Sequence, residues 1–256
     1  MKRILIPAVA AATLAAGPAL AISICVEGAY PPFSETAPDG SIVGFDIDIA
    51  NALCDEMGED CRLVRTDWDG IIPALLEGHC DAIIASMSIT PERRQVVDFT
   101  KKYYHTPAML VGPEDADFDD SPEGLAGKVV GVQRGTIHQD YMERNYPDTR
   151  LTLYASQDEA YLDLVSGRLD AVMADSIAIT EGFLNTPQGE NFTQIGDTHY
   201  DPEVHGEGAG IAVRQEDTEL RDRLSDAIRA IREDSTYDEI AERYFDFDIY
   251  GEEPAS

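Results

Sequence analysis

Two hydroxyls and a guanidinium lie close together in the run Ala85-Ser86-Met87-Ser88-Ile89-Thr90-Pro91-Glu92-Arg93-Arg94. An apolar strand ends at Ser86, Ser88 follows, and Arg93 comes five positions later at a helix start. Hydroxyls, free backbone N–H groups at a helix start and a forked cation together suit a small carboxylate. A second run, Glu27-Gly28-Ala29-Tyr30-Pro31-Pro32-Phe33 continued by Gly44-Phe45-Asp46-Ile47-Asp48, brings an acid and an aromatic ring to the end of another strand. Gln133 to Gly135 and Asp175 stand at two further strand ends. Ligands of α/β sheets sit outside the carboxyl ends of the strands, so four strand ends aim polar groups at one cleft.

The elements that must position these groups alternate. Strand Ile22–Glu27 precedes a helix from about Asp46 to Met57, with Ile49, Leu53 and Met57 on one face. Strand-like Cys61–Arg65 precedes helix Trp68–Glu77, and Asp81–Ser86 reads as a buried strand, apolar without alternation. After Tyr103–Val111 the pattern restarts with strand Lys128–Gln133, helix Thr136–Tyr146, strand Leu151–Tyr154, helix Gln157–Ser166, strand Asp170–Ala174 and a helix from Asp175 to Leu184. A strand at Gly206–Val213 returns, followed by helices at about Asp217–Arg232 and Thr236–Phe245. Two βαβ blocks with a strand and helices left over imply two α/β lobes, each a mainly parallel sheet flanked by helices.

Composition excludes several partners. The 256 residues carry 49 acidic against 19 basic side chains, a net charge of −30, which repels nucleic acid and anionic lipid. Lys2 and Arg3 precede the apolar run Ile4–Ala16, and Ala19-Leu20-Ala21 has the small-x-small pattern of a cleavage site, so residues 1–21 read as a secretory signal. The run is broken by Pro7, Gly17 and Pro18 and is too short to span a bilayer, which takes roughly 20 residues. Ile24 before Cys25 is too large for a lipobox, so the mature protein is expected to be exported, soluble and not a lipoprotein. The histidines at 79, 105, 138, 199 and 205 lack metal-ligand spacing, and neither a nucleophile elbow nor a phosphate loop occurs. No metal, no cofactor and no enzymatic activity are expected.

Together, order and spacing resemble the polar amino-acid family of periplasmic solute-binding proteins, which feed ABC importers, from about Ile22 to Gly251. In pattern the lysine/arginine/ornithine- and histidine-binding proteins are nearest. The resemblance implies a two-crossing hinge, with lobe 1 formed by 22–107 and 205–251, lobe 2 by 108–204, and 252–256 a tail. It implies that Arg93, with the N–H groups of Ser88 and Ile137, holds an α-carboxylate. The hydroxyls of Ser86 and Ser88 and the Asp175 carboxylate would accept from the ammonium. Asp175 alone would read as a helix N-cap.

For the side-chain pocket, the resemblance places Glu27 as the acid that meets a basic side chain, with Trp68 and Tyr30 as aromatic walls. A tryptophan face suits a guanidinium plane. Ala85, Gln133 and His138 depart from the usual residues and bear on which ligand is preferred. The resemblance also implies a Cys54–Cys61 disulfide. Cys25 and Cys80, in or beside neighbouring strands, are either a second bridge or two buried thiols. The expected partners are a basic amino acid (arginine, ornithine, lysine or histidine) and a membrane permease, with the protein itself a monomer. An opine is an alternative ligand, and a cyclohexadienyl or arogenate dehydratase, with Glu27 as proton donor, an alternative class.

Overall fold

The computed structural model describes residues 21–251. The expected signal segment 1–21, apart from its last residue, and the 252–256 tail lie outside the described residues. Two five-stranded sheets, each flanked by helices, make up two lobes. The first sheet runs in the order Cys61–Arg65, Ile22–Val26, Ala82–Ile83, Ala209–Val213, Asp98–Tyr104. Its first three strands are parallel, with Ile24 opposite both Leu63 and Ala82, and Ala209–Val213 is antiparallel to its neighbours. The second sheet runs Arg150–Tyr154, Val129–Gln133, Ala171–Asp175, Ala108–Pro113, Phe192–His199. Here Val130 lies parallel to Leu151 and Ala171, while Leu110 is antiparallel to Met173 and Ile195. The chain leaves the first sheet after Tyr104 and re-enters it at Ala209.

Several elements differ from the sequence expectation for identifiable reasons. Regular pairing of the strand expected over Asp81–Ser86 covers only Ala82–Ile83, because the chain turns out of the sheet at Ser86, whose φ is +53°. The helix expected from Asp175 to Leu184 is one α-turn, Ser176–Ile179, followed by a π-helical turn, Thr180–Leu184. Gly182 in that wide turn passes so close to Pro31 that a Cβ would meet the Pro31 carbonyl at 2.7 Å. The last helix is shorter than expected, Thr236–Ala241, and Phe245 beyond it packs on Phe45 at 5.1 Å between ring centroids. A small three-stranded sheet, Ala29–Tyr30, Ser34–Thr36 and Ile42–Val43, was not anticipated.

Helix Phe45–Met57 buries Phe45, Ile49 and Leu53 against an aromatic cluster in which Phe33 stacks on Tyr104 at 4.7 Å. Full burial of each such side chain stabilises by about 1.5–3 kcal/mol, so the start of this helix is firmly fixed. Gly44 before it has φ +129°, and a Cβ there would overlap the Phe33 carbonyl. Only glycine meets both demands.

Two disulfides brace the first lobe. Cys54–Cys61 joins a helix end to the next strand, and Cys25–Cys80 links strand Ile22–Val26, which leads to Glu27, with the segment that leads to Ser86. The second bridge decides the alternative between bridge and buried thiols. Its sequence separation is 55 against 7 for the other. Loop-closure entropy then predicts that replacing Cys25 and Cys80 by Ala lowers the unfolding free energy by about 4 kcal/mol, against about 2.5 kcal/mol for the Cys54/Cys61 pair. Urea unfolding of the two double variants measures the difference.

Candidate functional site

The eleven residues expected to form the site line one cleft between the two sheets, joined by Tyr104, Thr106 and His205 from the crossings. Glu27 follows strand Ile22–Val26 and is only 5% exposed. Gln133, at the end of a strand of the other lobe, donates from Nε2 to Glu27 Oε1 at 2.5 Å. Burial pushes the Glu27 carboxyl up to about 7, helped by the charges of Asp158, Asp46 and Asp67 and opposed by the Gln133 bond. Desolvation penalises the charged form, so a cation beside Glu27 is what favours its ionised state. The Gln133 amide, expected only as an unusual lining residue, is Glu27's direct partner across the cleft.

Arg93 begins a short 3₁₀ turn, Arg93–Gln95, rather than a longer helix. Its Nη1 donates to the Ser88 carbonyl at 3.0 Å and its Nη2 to the Gly135 carbonyl, from the other lobe, at 3.2 Å. Desolvation lowers Arg93 to about 10, so it stays charged at neutral pH. A guanidinium has five N–H donors, which leaves donors beyond the two used here. Trp68, at the start of helix Trp68–Leu76, lies over this guanidinium, 5.4 Å from the ring centroid, and its indole N–H donates to the Gly135 carbonyl at 3.4 Å. Trp68 was expected as an aromatic wall of the side-chain pocket, and here it also covers Arg93. Arg94, the neighbouring cation, points instead to Asp98 and Glu207. A pair between Arg134 and Asp69 at 2.6 Å adds a further link between the lobes.

Ser86 and Ser88 follow the buried Ala85, which contributes only a methyl group to the wall. Ser86 Oγ donates to Asp46 Oδ2 at 3.0 Å, so its hydroxyl is engaged from behind the wall. Asp46 itself is fully buried in the first turn of helix Phe45–Met57. In the sequence Asp46 stands within Gly44-Phe45-Asp46-Ile47-Asp48 at the expected helix start, with nothing there to tie it to the site.

From the second lobe, Asp175 ends strand Ala171–Asp175 and caps the next turn, accepting from Ile177 N–H at 2.8 Å and Ala178 N–H at 3.4 Å. Its other oxygen accepts from the Thr106 hydroxyl, and burial pushes the carboxyl up to about 6. Asp175 is thus an N-cap and a cleft group at once. Its backbone N–H donates to the Tyr30 hydroxyl at 3.3 Å, tying Tyr30 to the far lobe. Ile137 is the first residue of helix Ile137–Asn145, where amide N–H groups have no intrahelical acceptor. Next to it, His138 is buried, and desolvation with the nearby His205 and Arg93 holds its imidazole down to about 3, hence neutral.

A guanidinium with spare donors, a buried acid and further acceptors in one cleft can hold a zwitterion with a cationic arm. The sequence matches the family of bacterial extracellular solute-binding proteins, family 3, over residues 22–247. The chain belongs to this family. The L-arginine-binding protein of Pseudomonas aeruginosa is 47% identical over 232 residues, covering 90% of each chain. The lysine/arginine/ornithine-binding periplasmic protein of Escherichia coli is 37% identical, again over 90% of each. A solved periplasmic binding protein from Salmonella typhimurium, described for high arginine specificity, superposes with a TM-score of 0.82 at 33% identity, covering 89% of this chain and 100% of the other. These relatives are binding proteins, and this solute-binding protein is one too, not an enzyme. Such proteins bind amino acids outside the cytoplasmic membrane and serve ABC importers. Among the described residues no helix is long and apolar enough to cross a membrane.

Proposed function

We propose that this protein captures a basic L-amino acid, arginine foremost, in the periplasm and hands it to the membrane permease of an ABC importer. The observation that carries the reading is the pairing, in one cleft, of the Arg93 guanidinium with the buried Glu27 carboxylate. Arg93 takes the α-carboxylate with the Ser88 and Ile137 N–H groups. Ser86, Ser88 and Asp175 accept from the ammonium, and Glu27 meets the side-chain cation between Trp68 and Tyr30. The names of the relatives support the same ligand class. The segment 1–21 is proposed as the export signal and the mature protein as a monomer. Protein purified without added ligand, denatured and extracted, should release arginine or another basic amino acid in mass spectrometry; an acidic or aliphatic one overturns the reading. A guanidinium-bearing opine is the second reading, favoured by His138 Nδ1 and His205 Nε2, buried polar atoms without partners beside the cleft.

The lobes 22–107 with 205–251, and 108–204, are proposed to close as rigid bodies. Ligand favours closure through its differential affinity for the closed state. Protons act in the same direction. In the closed arrangement burial pushes Glu27 up to about 7 and Asp175 up to about 6, above the ordinary carboxylate range. An open cleft returns both groups to water and to ordinary values, so the closed form binds more protons between those limits. Lowering pH from 8 to 6 should therefore shift protein without added ligand toward closure, by about tenfold in all through Glu27 and about twofold through Asp175. Small-angle scattering should show a smaller radius of gyration at pH 6, and Glu27→Gln should remove most of the change.

A further inference from the structure

Behind the cleft wall a closed ring of hydrogen bonds joins three residues. The Ser86 backbone N–H donates to the Tyr103 hydroxyl at 3.1 Å, the Tyr103 hydroxyl donates to Asp46 Oδ1 at 2.8 Å, and Ser86 Oγ donates to Asp46 Oδ2 at 3.0 Å. Asp46 and Tyr103 are both fully buried, and neither lines the cleft; Ser86 alone of the three does. We propose that Asp46 is a positioning residue that makes Ser86 a dedicated acceptor for the ligand's α-ammonium.

A hydroxyl carries one hydrogen and two lone pairs. With its hydrogen committed to Asp46, the Ser86 oxygen presents only lone pairs to the cleft, where the Tyr104 hydroxyl lies beside it as a further hydrogen-bond partner. It can then accept from an ammonium and cannot donate to a carboxylate or carbonyl put in the same place. A freely rotating hydroxyl would serve either, and the discrimination would be lost. The ring also holds the backbone. Ser86 sits at φ +53°, a left-handed conformation that non-glycine residues rarely adopt, and both its N–H and its O–H are tied down by the ring. Asp46 is anchored in turn: Phe45 beside it is clamped in the aromatic cluster, and its own N–H donates to the Phe33 carbonyl at 2.9 Å. Its place in the first turn of helix Phe45–Met57 favours a negative charge. Burial raises its carboxyl to about 7, against the pull of the Tyr103 and Ser86 donors, and a neighbouring ammonium favours the ionised form.

This inference rests on the proposed function, which supplies the ammonium. Its test compares L-arginine with 5-guanidinopentanoate, the same molecule without the α-ammonium, by calorimetric titration of wild type, Asp46→Asn, Ser86→Ala and the double variant. Asp46→Asn should weaken arginine binding by about tenfold or more and 5-guanidinopentanoate by less than about twofold. In the Ser86→Ala background Asp46→Asn should change arginine binding by less than about twofold, because its route to the ligand is gone. Equal weakening of both ligands, or an undiminished cost in the Ser86→Ala background, overturns the proposal while arginine binding by wild type upholds the functional reading. Wild type that binds no basic amino acid overturns both. If melting shows that Asp46→Asn does not fold, Tyr103→Phe carries the same comparison: a loss confined to arginine supports the ring, and an equal loss on both ligands overturns it.

Discussion

Arg93→Ala is expected to weaken arginine binding by about a thousandfold or more, a loss of roughly 4 kcal/mol. Two effects combine. The substitution removes the charge-assisted, two-pronged partner of the α-carboxylate and leaves that carboxylate buried without compensation. It also removes the bonds to Ser88 and Gly135, the second of which joins the lobes. Arg93→Lys separates these effects, because it keeps the charge and loses the planar fork. It should recover only part of the affinity. Melting of each variant without ligand checks that the first lobe remains folded. Affinity of Arg93→Ala within about threefold of wild type, under roughly 1 kcal/mol, would show that the carboxylate is placed wrongly.

Glu27→Gln is expected to change selectivity more than any other single substitution. Glu27 is buried, and among the described residues the Gln133 amide is its hydrogen-bond partner. A cationic side chain recovers the cost of ionising it there, whereas an uncharged arm leaves a buried carboxylate unpaired. Gln keeps the length and can still bond to Gln133, so the pocket shape survives. Affinity for arginine should fall by about a hundredfold, and affinity for citrulline, nearly isosteric and uncharged, by no more than about threefold. Competition of the two ligands against a common probe, in wild type and variant, measures the ratio. An equal fall for both would mean that Glu27 supports the fold of the site rather than reads its ligand's charge.

Much of this site is legible in the sequence because its groups sit at strand ends, and strand ends can be read from apolar runs. Ser86, Glu27 and Asp175 are of that kind, whereas Ser88 and Arg93 lie beyond the strand and take their roles from the family resemblance. Asp46 was not, because its role depends on Tyr103 and Ser86, 57 and 40 positions away, and a lone Asp in a first helical turn has many ordinary uses. Gln133 was expected in the lining, but its bond to Glu27 was not legible for a similar reason: Glu27 is 106 positions distant and in the other lobe. At the level of the fold, Phe192–His199 was overlooked because an edge strand with an exposed face carries little apolar alternation. The Cys25–Cys80 bridge stayed open because a disulfide depends on how two strands are registered, which spacing alone does not specify.

The central claim is that the cleft reads a zwitterion at one end and a positive charge at the other. Calorimetric titration of the wild-type mature protein with L-arginine, L-glutamine, L-glutamate and L-leucine, in one buffer at pH 7.5, tests it most directly. The account predicts that arginine binds tightest, by at least about a hundredfold over glutamate and leucine, with a single site per chain. Tighter binding of glutamate or leucine than of arginine would contradict it.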